Sequence, residues 1–411
     1  MTDVTTGPER VLRDDNHESG TPNLSLFLTF LRLGLTSFGG VVAHYGYFRD
    51  IFVVRRRWLG EREFADIVAL SQVLPGPASS QAGITIGLIR GGLWGAAAAW
   101  LGFTLPSAAL MIAFGYFARM PEIAEFARPL HGLLIAAVAV VAQAIVGMAR
   151  NFIVSIRHAL VALAAAAAAL TLHGSWVVIA IIAIAGLLGW KALPRTDRPL
   201  ALRNIPTPWP RWMSNLAAFL FFALLGILPV AAHLTGSHAV AVFDRFYRVG
   251  ALVFGSGPVV LPMLAHEVVP TGWVSQSTFM AGYGAAQALP GPLFTYAAYL
   301  GTVMNGTVNG WMGGLLTLSA IFLPSFLMVI GIFPHWSALR HSESASAGLA
   351  GINAAVVGLL LAAFYNPVWV AGIQSWLDFA IAAAGFAVLM TRRVPTWGVV
   401  VGTVIAATVI G

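Results

Sequence analysis

The chain has 411 residues, of which 58% are hydrophobic and only 9% are charged, and its formal net charge is +7. Soluble domains carry about 25% charged residues, so this composition excludes a soluble globular protein and predicts an all-α polytopic membrane protein. The absence of cysteine excludes disulfides and thiolate metal centres. Few loops are long enough to form a nucleic-acid-binding domain, so the positive charge favours basic cytosolic loops and an anionic substrate.

Four regions follow one another along the chain. Residues 1–23 are polar and contain no apolar core of a signal peptide, so they are predicted to form a disordered cytosolic tail. A first repeat, 24–190, precedes a basic cytosolic linker with one unpaired membrane segment, 191–239, and a second repeat, 240–411. About thirteen apolar segments are predicted, at 24–48, 64–90, 93–117, 131–149, 156–172, 175–190, 214–234, 240–264, 276–304, 311–333, 347–365, 368–390 and 397–411.

The two repeats share rare residues in the same order at a nearly constant spacing. Gln-Val-Leu-Pro-Gly-Pro at 72–77 returns as Gln-Ala-Leu-Pro-Gly-Pro at 287–292. Further matched pairs are Arg32 and Arg248, Trp58 and Trp273, and Ser107 and Ser325. The odd segment between the repeats reverses the direction in which the second one enters the membrane. The arginine-rich loop before the first Pro-Gly-Pro segment has no basic counterpart between 263 and 277, which also predicts inverted repeats.

Each Pro-Gly-Pro motif is predicted to break a helix, because proline lacks the backbone N–H and its ring clashes with the preceding turn of a continuous helix. Two arrangements remain open for segment 64–90. If Arg55, Arg56, Arg57 and Arg90 are all cytosolic, the segment enters the membrane, turns at Pro-Gly-Pro and returns as a re-entrant hairpin. If every segment spans, the arginine-rich loop lies outside.

Broken helices at matching places in two repeats are typical of a transporter's substrate site. The helix that starts after each break directs free N–H groups and a positive dipole end toward an anion, and nearby hydroxyls, including Thr295, add donors. Arginine at membrane depth suits a tetrahedral oxyanion. The predicted substrate-binding residues are Arg32, Gln72, Pro75, Gly76, Pro77, Ser79, Ser80, Arg248, Gln287, Pro290, Gly291 and Pro292. The alternatives are kinked packing helices and arginines that reach the interface.

His44, Glu63 and Asp66 are candidates for ion coupling, and each also fits an ordinary interfacial position. The histidines are scattered without carboxylates at ligand spacing, and no Walker-type phosphate loop is present, so neither a metal nor another cofactor is expected. A membrane-embedded transferase would need clustered acids or histidines on one face. The chain is therefore expected not to be an enzyme.

Four stretches resemble the chromate ion transporter family in its long, two-domain form: FLRLGLTSFGG at 30–40, QVLPGPASSQ at 72–81, GFTLPSA at 102–108 and QALPGP at 287–292. The resemblance extends over residues 24 to 411. It implies a multi-pass protein of the bacterial inner membrane that exports chromate and confers chromate resistance. The same resemblance implies export linked to the proton-motive force and competed by sulfate. The implied partners are chromate, sulfate and membrane lipids, with a homodimer left open and no nucleic acid. A transporter of sulfate or another oxyanion and a passive anion channel remain the alternatives.

Overall fold

A computed structural model describes residues 22–120, 127–172, 177–192, 209–253, 260–335, 343–391 and 393–410. Within these ranges the regular structure is entirely helical, without strands, which confirms the predicted all-α class. The predicted tail, apart from its last two residues, and linker residues 193–208 lie outside the described part of the chain.

The helices follow the order of the predicted segments. The first half contains α1 (Asn23–Thr36), α2 (Gly40–Phe48) with a π-helical extension (Arg49–Arg55), α3 (Glu61–Val73), α4 (Ala78–Phe117), α5 (Ala127–Phe152), α6 (Ile156–Thr171) and α7 (Val177–Ala192). The unpaired helix is α8 (Arg211–Thr235). The second half contains α9 (His238–Leu252), α10 (Val260–Val268), α11 (Gln276–Ala288), α12 (Tyr296–Val303), α13 (Gly310–Ile332), α14 (Glu343–Ala363), α15 (Trp376–Thr391) and α16 (Thr396–Ile410).

Five stretches of the described residues are long and apolar enough to cross a membrane: Ala78–Phe117, Arg128–Phe152, Arg211–Thr235, Gly310–Ile332 and Ala347–Gly372. A helix of 25 residues is about 38 Å long, which exceeds the hydrocarbon thickness of about 30 Å. These helices and their composition define a multi-pass membrane protein. Helix α8 is the most exposed of the five and presents Phe219 and Phe222 outward, as expected of a lipid-facing helix.

Besides the two Pro-Gly-Pro segments, two further predicted segments are divided in the structure. Segment 24–48 contains both α1 and α2, because Gly39 and Gly40 have φ angles of +100° and +77°, which a helix does not accommodate. Segment 240–264 likewise contains the end of α9 at Leu252 and the start of α10 at Val260. Periodicity of apolar residues alone did not reveal either division.

Helix α4 reverses direction at Gly91 and Gly92, where the φ of Gly92 is +61°. Gly87 and Gly95 pack so closely that a Cβ on either would overlap the other's backbone carbonyl. Residues eight apart in a straight helix are separated by about 12 Å, so α4 consists of two antiparallel parts. These parts, α4a (78–90) and α4b (93–117), meet at the boundary predicted between segments 64–90 and 93–117.

Both Pro-Gly-Pro segments fold as helical hairpins. Hairpin 1 comprises α3, the Pro-Gly-Pro turn at 75–77 and α4a, and its two ends meet where the Arg90 guanidinium lies 5.7 Å from the Trp58 ring. Hairpin 2 comprises α11, the turn at 290–292 and α12, and its ends meet where the Asn305 N–H donates to the Trp273 carbonyl at 2.8 Å. Since α3 and α11 have 13 residues each, about 20 Å, neither crosses a membrane alone. The chain therefore reverses direction at each Pro-Gly-Pro turn, which is the geometry that the hairpin arrangement predicts.

Candidate functional site

The tips of the two hairpins bind reciprocally across the halves. The N–H of Gly76, in the tip of hairpin 1, donates to the carbonyl of Val253 at 2.6 Å, just after α9. The N–H of Gly291, in the tip of hairpin 2, donates to the carbonyl of Ser37 at 2.9 Å, just after α1. Each tip thus docks on the C-terminal end of the first helix of the other half. The contact made by tip 1 is therefore equivalent to the contact made by tip 2.

Each tip also faces a serine of the other half. A Cβ added at Gly76 would lie 2.5 Å from Ser325 Oγ, and one added at Gly291 would lie 2.9 Å from Ser107 Oγ. The two glycines have φ angles of +121° and +91°, so both space and backbone conformation require glycine. The sequence identified Ser107 and Ser325 as a matched pair but contained no signal that each contacts the opposite tip.

Helices α4b and α13, which carry these serines, pack against each other through aromatic side chains. The Trp100 ring lies 5.5 Å from the Phe322 ring and 5.6 Å from the Phe326 ring, both edge-on. The two tips therefore dock on a single helix pair, formed by one helix from each half. This contact places the two predicted Pro-Gly-Pro sites at the interface between the halves.

Buried polar atoms without a hydrogen-bond partner among the described residues occur around the tips. They include the hydroxyls of Ser37, Ser80 and Thr104 and the side-chain oxygen of Gln81, and all four residues are at most 2% exposed. Ser80 lies in the first turn of α4a, where the first backbone N–H groups also lack partners within the helix. An unsatisfied buried polar group costs about 1–3 kcal/mol, so these atoms are suited to a polar ligand.

The remaining predicted tip residues differ in their exposure and partners. Ser79 is buried beside Ser80, whereas Gln72 is exposed on α3. Gln287 is partly buried, and its side-chain amide nitrogen has no partner among the described residues. The Thr295 hydroxyl donates to the Pro292 carbonyl at 2.9 Å, so it is already used within its own turn.

Gln81 is a tip residue that the sequence interpretation missed. Its amide nitrogen donates to the Pro75 carbonyl at 2.5 Å and lies 3.5 Å from Ser325 Oγ. Its counterpart in the second half is Tyr296, whose hydroxyl donates to the Phe279 carbonyl at 2.6 Å. Tip 1 therefore carries a polar amide where tip 2 carries a phenol. This difference makes the two halves of the site chemically unequal.

The matched arginines have different surroundings. Arg32 is exposed on α1, five residues before Ser37, and no carboxylate of the described residues pairs with it. Arg248 lies five residues before Val253, only 11% exposed, and forms a close ion pair with Asp244. A second carboxylate, that of Glu267, lies 3.8 Å from Arg248. Of the two guanidinium groups, only that of Arg32 has a positive charge that described carboxylates do not balance.

Of the three candidate coupling residues, His44 lies nearest a tip. Its Nε2 is 3.2 Å from the Ser37 carbonyl that also accepts from Gly291, and its ring packs edge-on against Phe103. Glu63 accepts the Gly60 N–H at 2.9 Å and so caps the start of α3. Asp66 is buried within α3. No group of three or more potential metal ligands occurs among the described residues.

Comparison with known proteins identifies the family. The family model described as chromate transporter matches residues 24–190 and 240–411. The chain belongs to the chromate transporter family. These two matched ranges contain both hairpins and also α4b and α13, on which the tips dock. All residues of the reciprocal tip contacts therefore lie within the parts of the chain that match the family.

Two similar proteins align with most of the chain, and a shorter one aligns with about a third of it. A chromate transport protein of Pseudomonas aeruginosa is 27% identical over 359 residues, covering 84% of this chain and 82% of the relative. An uncharacterized transporter of Methanocaldococcus jannaschii is 25% identical over 358 residues, covering 85% and 86%. An uncharacterized transporter of Bacillus subtilis is 35% identical over 153 residues, which is 34% of this chain but 74% of that protein. No solved structure matches the chain at a significant level.

Proposed function

We propose that this protein is a secondary transporter of the cytoplasmic membrane that exports chromate and binds it between the two hairpin tips. The observation that carries the proposal is the reciprocal docking of the tips, with buried hydroxyls around them that have no described partner. Broken helices that meet between two repeats are the usual location of a transporter's substrate site. The family name of the relatives supports chromate as the substrate.

The groups around the tips suit a tetrahedral dianion. Hydroxyls of Ser37, Ser80 and Thr104 can each donate one hydrogen bond, and the start of α4a adds backbone N–H groups. Hydrogen bonds to a charged acceptor are stronger than those to a neutral one, so these donors bind an anion without a fixed cation. Sulfate has the same shape and charge as chromate and is expected to compete. Arg32, whose charge no described carboxylate balances, is proposed to attract the anion toward tip 2.

The electrical part of the proton-motive force acts directly on such a substrate. Moving one elementary charge across the membrane is worth about 2.3 kcal/mol per 100 mV, so the export of a dianion from a negative interior is favoured by about 4.6 kcal/mol per 100 mV. Export therefore has a driving force in the membrane potential itself. We propose that each tip leaves its docking carbonyl in turn, which exposes the anion to one side of the membrane and then to the other.

Flux measurements in proteoliposomes test this proposal. Chromate and sulfate transport should be measured with and without a membrane potential and a pH gradient. We expect wild-type protein to move chromate in the direction set by the potential and sulfate to inhibit it. Arg32→Ala should reduce chromate flux severely while inserting normally, because the anion loses its attracting charge. Arg211→Ala, an exposed arginine at the start of α8, is the matched control and should transport normally.

Two outcomes would contradict the proposal. Conductance that is purely passive and does not saturate with chromate concentration would favour an anion channel on the same scaffold. Saturable transport of sulfate that chromate does not inhibit would favour another oxyanion as the substrate. Unchanged chromate flux in Arg32→Ala would remove this arginine from the pathway and leave the tip site itself to be tested separately.

A further inference from the structure

A compact group of four buried or partly buried charged side chains occurs among the described residues of the second half. Asp244, Arg245 and Arg248 belong to α9, and Glu267 belongs to α10. Arg245 contacts Glu267 twice, through the carboxylate at 3.2 Å and the backbone carbonyl at 2.8 Å. Arg248 lies between Asp244, its close partner one turn earlier, and Glu267 at 3.8 Å. With both carboxylates ionised the group, which we call the charge cluster, has no net charge.

The charge cluster has no equivalent in the first half. Aligning Arg248 with Arg32 places Leu28 and Thr29 opposite Asp244 and Arg245. Asp244 and Arg245 therefore have no charged counterpart at the equivalent positions of the first repeat. Buried ion pairs are weak evidence of stabilisation, since their desolvation costs about as much as their attraction gains. Ionisable groups within membrane segments are typical of functional positions.

A small cavity opens beside the charge cluster. Glu267, Arg248 and His266 line it, together with Met263 of α10, Val249 and Leu252 of α9, and Val178 and Ile179 of α7. Glu267 reaches this cavity, whereas Asp244 does not line it. Of the two carboxylates, Glu267 is thus the one that lines the cavity. The described lining has two other ionisable side chains, those of Arg248 and His266, and the residues from α7 are apolar.

We propose that Glu267 is a proton-binding site whose occupancy strengthens anion binding at the hairpin tips. When a proton from solution binds the Glu267 carboxylate, the charge of the cluster changes from zero to +1. Arg245 and Arg248 then face one carboxylate, Asp244, instead of two. The released positive charge favours a dianion nearby, so proton and anion binding reinforce each other. The inference rests on the proposed function, because it assumes that an oxyanion binds at the tips.

Helix α9 connects the charge cluster to tip 1. Arg248 precedes Val253 by five residues, which is about 7.5 Å along a helix, and the Val253 carbonyl accepts the N–H of Gly76. Electrostatic interactions weaken with distance, so a change of one unit charge acts on an anion that binds close to this end of α9. The same helix can also transmit a small displacement to the tip when Arg248 changes partners.

The test is proton uptake during chromate binding by the purified, full-length protein. Chromate is titrated into weakly buffered protein with a pH indicator, and a protein-free titration corrects for protons that chromate itself binds. Equilibrium dialysis measures chromate affinity across the pH range in which carboxylates and histidines titrate. We expect wild-type protein to take up about one proton for each chromate ion that it binds. Its affinity for chromate should fall by about tenfold for each unit by which the pH rises.

Glu267→Gln is expected to bind chromate with little pH dependence and without proton uptake, because its side chain is neutral at every pH. Glu61→Gln is the matched control: it removes a carboxylate from an exposed ion pair with Arg49 in the first half and should behave as wild type. Proton uptake that persists in Glu267→Gln, or that disappears in His266→Gln instead, would overturn the inference. Absence of chromate binding to wild type would instead contradict the proposed function.

Discussion

At the scale of single residues, the site depends on polar atoms that the folded protein leaves without partners. Ser80 is 2% exposed, and its hydroxyl has no partner among the described residues, although it lies in the first turn after the Pro-Gly-Pro break. Most buried hydroxyls in the described helices donate to a backbone carbonyl, as Thr85 does to Gln81 at 2.8 Å. Ser80 differs from them in the way that a ligand-binding hydroxyl should.

Replacing Ser80 by alanine should therefore weaken chromate binding without destabilising the protein. A hydrogen bond to a charged partner is worth about 1.5–3 kcal/mol, so the affinity should fall by about tenfold to a hundredfold. Equilibrium dialysis and thermal unfolding measure the two effects. Ser214→Ala is the matched control, because the Ser214 hydroxyl is equally buried but accepts from the Trp209 indole at 2.8 Å. The control should lower stability and leave affinity unchanged; the same pattern in Ser80→Ala would assign Ser80 a packing role.

The different surroundings of the two arginines show what sequence could and could not predict at this scale. Their equivalence follows from the repeat, and Asp244 is visible as a partner four residues before Arg248. Glu267 comes from another helix, so its approach to Arg248 depends on how α9 and α10 pack. Long-range pairing of this kind has no signature in local spacing, and the prediction of two similar arginines could not anticipate it.

At the scale of elements, the hairpins depend on glycines at their tips. Gly76 and Gly291 adopt positive φ angles, and both approach serines of the opposite half. The Pro-Gly-Pro motif predicted a break in the helix, and the arginine-rich loop favoured a hairpin over a spanning segment. The direction in which each tip points could not be predicted, because it follows from the packing of α4b against α13 rather than from the hairpin's own residues.

Gly76→Ala and Gly291→Ala should each impair transport and lower the melting temperature. Alanine at positive φ is strained by about 1–3 kcal/mol, and its Cβ would press on the facing serine and displace the tip. Chromate flux in proteoliposomes and thermal unfolding of the purified variants measure these effects. Gly226→Ala in α8 is the control, since its Cβ would meet nothing within 4 Å. This substitution should be neutral or stabilise by about 0.4–1 kcal/mol. Normal flux in both tip variants would mean that close docking of the tips is not needed.

At the scale of the whole molecule, the two halves exchange equivalent contacts. Comparison of the chain with itself predicts the two repeats, because matched arginines, tryptophans, prolines and serines keep a constant order. The inverted orientation in the membrane remains a prediction from the distribution of charged loops. Arg62 and Ser277 are exposed at equivalent positions, each the second residue of the first helix of its hairpin.

Cysteine labelling tests the orientation directly, since the chain contains no native cysteine. In intact cells, a membrane-impermeant maleimide should label Ser277→Cys but not Arg62→Cys. Inverted repeats place the bases of the two hairpins on opposite sides, and basic loops stay in the cytosol. Permeabilised cells provide the control, in which both variants should react. Labelling of both positions from the same side would contradict the inverted arrangement.

The reciprocal docking of the tips has an evolutionary consequence. Because each half holds the acceptor carbonyl and the facing serine for the other half's tip, a half-length chain built on this plan could not complete its own site. It would need a second copy inserted in the opposite orientation. If the repeats are inverted, as the charged loops predict, the present chain is equivalent to such a pair of copies joined in one polypeptide, with α8 as the added crossing that allows both orientations. Two halves within one polypeptide need not be identical, and the charge cluster of α9 and α10 belongs to the second half.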